Sequence, residues 1–192
     1  ATLASAHYLF ESGLVEGNEP VSFATRSGIL RVSRDGDNLV MNFPAIPVKE
    51  SPEPFWFSDV MPGIRYTFCG KAGEDDFFVL ENASAVRTVR PDLEALRTVK
   101  SRGMILTAQG DQGYDVVSRF FAPQVGVDED PVTGSAHCAI GPYWCNWLNK
   151  REVYCYQASM RGGQMRVRSL EARVELVGKA RTILHGELSN DL

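Results

Sequence analysis

The stretch that decides the fold is GSAHCAIGPYWCNWLNK, residues 134–150. Ala136, Ala139, Ile140, Tyr143, Trp144, Trp147 and Leu148 recur at intervals of three and four, the period of a helix. Cys138, Gly141 and Cys145 keep the opposite face small and apolar, so the pattern predicts a central helix near 134–149 that is buried nearly all round. Gly141-Pro142 conflicts with that reading, because an interior proline costs about 3 kcal/mol in a regular helix. A kink is expected there.

Most of the remaining chain alternates at the strand period. Strands are predicted at 21–25, 29–34, 39–43, 65–69, 76–81, 104–109, 114–121, 153–158, 164–170, 173–177 and 181–187, with the turn-rich RDGDN (34–38) joining the second and third. RPDLEALRTVKSRG (90–103) reads as a surface helix, with Pro91 in its first turn, Leu93, Leu96 and Val99 on its inner face, and Gly103 as its stop. The chain has 192 residues, 44% hydrophobic and 23% charged, with a net charge of −4, the profile of a globular protein able to bury a core. With no like-charge run there is no electrostatic reason to expect nucleic acid or an anionic membrane, and no apolar run approaches the ~20 residues of a membrane span. A cytosolic protein is expected. Cys69, Cys138, Cys145 and Cys155 lie in apolar segments without zinc spacing and read as buried free thiols, so no metal site is expected.

The opening ATLASAHYLF (1–10) resembles a second helix of the same kind. At an offset of 135 (163 minus 28), Ala1 meets Ala136, Ala4 meets Ala139, Tyr8 meets Tyr143, Arg26 meets Arg161, Gly28 meets Gly163, Arg31 meets Arg166 and Val32 meets Val167. That is about three times the chance rate for average composition. The repeat implies an α+β fold of two pseudo-symmetric, β-rich halves, each wrapped around a central helix. Residues 1–44 would be the remainder of the first half and 45–192 the second. Because the counterparts of Gly134 and Ser135 would precede Ala1, the first half is expected to be incomplete at its N-terminus.

EDPVTGSAHC (129–138) leads into the second helix. The first N–H groups of a helix have no partner within it and the macrodipole there is positive, so a carboxylate or phosphate is favoured at Gly134 to Ala136. Gly134 permits close approach of backbone to a ligand, and Ser135 is either a cap or a hydroxyl donor to that ligand. Asp130, held by Pro131, could face the same place as a proton donor or acceptor. Against this stands a plainer reading in which DEDP is a solvated loop and TGSA a cap. No Gly-x-Ser-x-Gly elbow supports Ser135 as a nucleophile, and His137, inside an apolar helix, reads as a packed residue.

EDPVTGSAHCAIGPYW (129–144) closely resembles the signature of the PhzF-like phenazine-biosynthesis family, and RFFAP (119–123) and RGGQMRV (161–167) match it too. The opening ATLASAHYLF resembles the continuation of that family's Gly-His-Ala-Thr helix start. The resemblance implies a diaminopimelate-epimerase-like fold and an isomerase that moves a proton on a small carboxylic acid without metal or pyridoxal phosphate, as the family's best-known member does on a dihydro-hydroxyanthranilate. It implies that Asp130 and Ser135 occupy active-site positions and that the backbone of Thr133, Gly134, Ser135 and Ala136 cradles the substrate carboxylate. Related racemases of this fold use two thiols, but no cysteine precedes Ser135 in the motif, so a two-thiol mechanism is not expected. The family's catalytic glutamate and the histidine of its Gly-His pair have no counterpart in these residues, which places the general base upstream. The alternative is a non-catalytic protein that keeps the anion cradle, or an inactive fragment. The expected partner is a small carboxylate metabolite, and a symmetric homodimer suits a protein of this size.

Overall fold

A computed structural model describes residues 1–15, 19–25 and 28–186. They fall into two compact units, 1–42 with 177 onward, and 43–176. In the first unit, helix α1 (Thr2–Glu11) buries Ala6 and Phe10 and leaves Tyr8 exposed, so it is less enclosed than its sequence suggests. Strands β1 (Val21–Thr25) and β2 (Gly28–Asp35) pair antiparallel, and β2 pairs with β3 (Asn38–Pro44) through a two-residue loop in which Gly36 takes φ +58°. Arg26, one of the repeated positions, lies outside the described residues.

The second unit is built on a mixed sheet. Its strands are β4 (Val48–Glu50), β5 (Tyr66–Ala72), β6 (Asp75–Leu80), β7 (Gly103–Gln109), β8 (Val116–Phe121), β9 (Glu152–Gln157), β10 (Gly163–Leu170) and β11 (Arg173–Gly178), and β4 to β10 lie side by side in chain order. Neighbours are antiparallel except β6–β7 and β8–β9, which are parallel. A parallel pair needs a crossover, and each crossover here carries helix. Between β6 and β7 run α3 (Ala83–Thr88) and α4 (Leu93–Arg97); α2 (Phe57–Val60) joins them ahead of β5. Between β8 and β9 runs α5 (Gly134–Trp147), which packs on β9 and β10.

The two crossovers cover opposite faces. Met104, Leu106 and Ala108 of β7 join the core under α2 to α4, with Phe78 against the rings of Trp56, Phe57 and Tyr66. Thr107, one residue out of phase, accepts a hydrogen bond from Trp144 Nε1 of α5 at 3.0 Å. Covered on both faces, β6 and β8 are buried throughout and show no alternation, and the polar residues they carry, Asp75 and Asp76 in β6 and Ser118 and Arg119 in β8, are buried with them. On the α5 face the approach is close at Gly141, where an added Cβ would lie 2.2 Å from Val167 Cγ1. Proline at 142 does not end the helix. The carbonyl it frees, four residues back at Cys138, accepts the Ile46 N–H at 2.9 Å instead.

Several sequence expectations are corrected. Residues 181–186 form no strand, and Glu187 lies outside the described residues. The helix expected across 90–103 is a single turn and a half: the Asp92 side chain caps its start by accepting the Ala95 N–H at 2.9 Å, which leaves Pro91 outside, and at its end the Thr98 hydroxyl donates to the Ala95 carbonyl at 2.8 Å. Trp147 is 68% exposed, so α5 is not enclosed at its C-terminal end. The short α2, α3 and β4 were not foreseen, although Asn82 caps α3 with the same chemistry, accepting from Ala85 N–H at 2.9 Å.

Candidate active site

In the loop between β8 and α5, Val125 to Asp128 are exposed, and the part from Glu129 onward is pinned to the fold. Asp130 N–H donates to the Phe120 carbonyl at 3.0 Å, returning the chain onto the end of β8. Glu129 receives both Nε (2.6 Å) and Nη2 (3.0 Å) of Arg119, whose guanidinium is buried over the Phe121 ring and donates through Nη1 to the Val89 carbonyl at 2.7 Å. Such a bidentate pair fixes orientation as well as position. On the other side, Ser159 Oγ donates to the Pro131 carbonyl at 2.8 Å, and a Cβ at Gly163 would meet Val132 Cγ2 at 2.2 Å. The RGGQ and DPVTGS segments are therefore in contact, and glycine at 163 is required by that contact.

The N-cap of α5 is Thr133, with extended backbone (φ −104°, ψ 101°), and not Ser135. Its hydroxyl does not cap the helix. It donates to Asp130 Oδ2 at 2.5 Å, while the buried Gln157 side chain accepts the Thr133 N–H at 2.7 Å and donates to the Asp130 carbonyl at 2.6 Å. Asp130 is partly exposed, so its carboxylate is held by Thr133 at the edge of solvent.

Gly134, Ser135 and Ala136 form the first turn of the helix. A methyl group at Gly134 would meet nothing closer than Leu176 Cδ1 at 3.5 Å, so packing does not demand glycine there as it does at 141 and 163. Ser135 Oγ accepts from Arg102 Nη1 at 3.3 Å. Arg102 is itself fixed by Asp75, which takes Nε at 2.8 Å and Nη2 on its second oxygen. Burial pushes the Asp75 carboxyl above its ordinary range, against the pull of the Arg102 guanidinium. Ala136 is buried to 1% exposure, whereas Gly134 and Ser135 are partly exposed. The structure thus joins Asp130 to Thr133 and Ser135 to Arg102. Among the described residues no hydrogen bond links Asp130 to Ser135 directly.

His137 is fully buried. Its Nδ1 lies 2.7 Å from the Thr133 carbonyl, which can only accept, so Nδ1 carries the proton and Nε2 accepts from Ser118 Oγ at 3.4 Å. Burial pushes its pKa down to about 4, so the ring is neutral at pH 7. Burial likewise pushes the Cys138 thiol up to about 12, and all four cysteines are free and buried. Neither group has the accessible, reactive form that proton transfer at neutral pH needs. Among the described residues no three His, Cys, Asp or Glu side chains converge to hold a metal ion, and no helix is long and apolar enough to cross a membrane.

Gln157, Arg102 and Asp75 were missed by sequence reasoning. Alternation along β9 marks Gln157 as facing inward, and a polar residue at such a position is a usable signal. Arg102 carries no such mark, since it sits in what reads as a helix stop.

An α+β fold with a long central helix whose start carries the sequence motif is the class this geometry defines. The phenazine biosynthesis-like (PhzC-PhzF) family model matches residues 1–186. An uncharacterized isomerase of Halalkalibacterium halodurans is 40% identical over 190 residues, covering 98% of this chain and 71% of its own length; another from Pseudomonas aeruginosa is 43% identical over 188 residues with the same coverage. A PhzF family crystal structure from Enterococcus faecalis superposes with a TM-score of 0.86 at 36% identity, covering 94% of this chain and 68% of that one. A hydroxyproline epimerase from Agrobacterium vitis shares the fold at a TM-score of 0.52 and 15% identity. The chain belongs to the phenazine biosynthesis-like family, and its class of activity is isomerase.

Proposed function

We propose that this isomerase moves a proton on a small carboxylic acid whose carboxylate sits on the first N–H groups of α5. Gly134, Ser135 and Ala136 would supply the amides and Ser135 its hydroxyl. Asp130, beside them, would donate or accept the proton. The general base would be a carboxylate upstream of Ala1, working without metal or pyridoxal phosphate.

The observation that carries the reading is a 14-residue helix whose first turn no side chain caps, directly preceded by an oriented carboxylate. The helix dipole contributes about 0.3–1 kcal/mol to holding an anion, and each hydrogen bond to a charged group about 1.5–3 kcal/mol. Directed amides therefore outweigh the dipole, and a planar carboxylate, which accepts two or more bonds, suits the site. Proton transfer at carbon needs a positioned acid and base and stabilisation of the charge that develops on the carboxylate, and these groups are of the right kind for both.

Incubation of the full-length protein in deuterium oxide with a panel of cyclic and amino-acid-like acids tests this, with carbon-bound deuterium read by mass spectrometry. Exchange into at least one acid is expected. No exchange into any of them would overturn the reading.

A further inference from the structure

A threonine N-cap ordinarily turns its hydroxyl oxygen onto the N–H of the second or third helical residue, here Ser135 or Ala136. Thr133 does not. The cause can be followed atom by atom. The Thr133 N–H can only donate, so the Gln157 side-chain atom 2.7 Å from it is the amide oxygen. That places Gln157 Nε2 against the Asp130 carbonyl at 2.6 Å and Thr133 Oγ1 at 3.1 Å. Nε2 carries only hydrogens, so Oγ1 must accept from it, and the single hydroxyl hydrogen goes to Asp130 Oδ2. One backbone N–H thus sets the direction of the whole chain. Gln157 is 1% exposed, so bulk water cannot stand in for it.

We infer that Gln157 is a positioning residue that holds the Thr133 hydroxyl away from α5, keeping the Ser135 and Ala136 amides free of a side-chain cap and the Asp130 carboxylate aligned. The inference rests on the proposed reading of this helix start for its purpose, but its mechanism concerns Gln157 and Thr133 alone. Without Gln157 the hydroxyl is released to cap the helix and compete with a ligand for the same amides.

The test is amide hydrogen exchange at Ser135 and Ala136 in the ligand-free full-length protein, with benzoate affinity measured alongside by calorimetry. In Gln157→Leu the hydroxyl caps, so exchange at one of these amides slows about fivefold, the strength of a typical cap, and benzoate binds more weakly. In the Gln157→Leu/Thr133→Val double variant there is no hydroxyl to cap, so exchange and benzoate affinity return to within about twofold of the parent. A merely structural role predicts the opposite, a double variant weaker than either single one. Gln157→Asn keeps a polar group at the buried position and falls one methylene short; it is expected to move exchange the same way, and serves if the leucine variant does not fold. Unchanged exchange in Gln157→Leu and Gln157→Asn, or a double variant that binds no better than the single, overturns the inference. If the parent binds no benzoate, the carboxylate reading fails, and the exchange rates still decide the role of Gln157.

Discussion

Helix α5 is irregular in two places, and the molecule treats them in opposite ways. In its middle, Pro142 leaves the Cys138 carbonyl without its helical donor, and the Ile46 N–H fills the vacancy at 2.9 Å. At its start, the first amides have a threonine next to them able to cap, yet its hydroxyl is given to Asp130. A fold that satisfies a buried carbonyl from 92 residues away (138 minus 46) has means enough to cap one helix. On the proposed reading the open start serves ligand binding, and the repaired middle serves stability.

That contrast can be broken first at the start of the helix. Asparagine at position 130 still accepts the Thr133 hydroxyl but neither takes up nor releases a proton at neutral pH. Asp130→Asn should therefore lower carbon exchange about 100-fold or more while urea unfolding shifts by less than about 1 kcal/mol. A large loss of stability with exchange intact would reverse the assignment. One turn further in, His137 is neutral because it is buried, with a pKa near 4 in the folded protein against 6.5 unfolded. Between those values the unfolded chain binds the proton and the native one does not. Its contribution to stability is thus complete above about pH 6.5 and is lost as pH falls through about 4. The loss amounts to about 3 kcal/mol, read as the slope of unfolding free energy against pH and flattened in His137→Asn.

The middle of the helix should respond through packing alone. Gly141→Ala drives a methyl onto Val167 and should cost about 1–3 kcal/mol in chemical unfolding, part of which Val167→Ala restores. Pro142→Ala is the smallest effect. Because Ile46 already serves the freed carbonyl, the gain in stability should stay below about 1 kcal/mol; a gain near 3 kcal/mol would show the defect to be unrepaired.

The helix start was legible because its signals are local. Gly134-Ser135, the acidic residues before them and the three-and-four spacing after them lie within twenty residues. The repeat was legible for a similar reason: β2 and β10 are each eight residues long and begin and end 135 apart (163 minus 28, 170 minus 35), with Val32 and Val167 both fully buried at equivalent places. What stayed hidden depends on the sheet. Gln157 reaches Thr133 across 24 residues and Arg102 reaches Ser135 across 33, and neither contact exists until β7, β8 and β9 are side by side. The role of the Thr133 hydroxyl is hidden in the sequence for the same reason. Its local preference is to cap, and only a long-range partner overrides it.

The central claim is that a carboxylate binds the first turn of α5. Titrating the full-length protein with benzoate and with benzamide, its neutral counterpart, while following backbone amide resonances, tests it most directly. Saturable shifts largest at Gly134, Ser135 and Ala136 with benzoate, and absent with benzamide, are the predicted result. Shifts centred elsewhere, or equal for the two compounds, would contradict it.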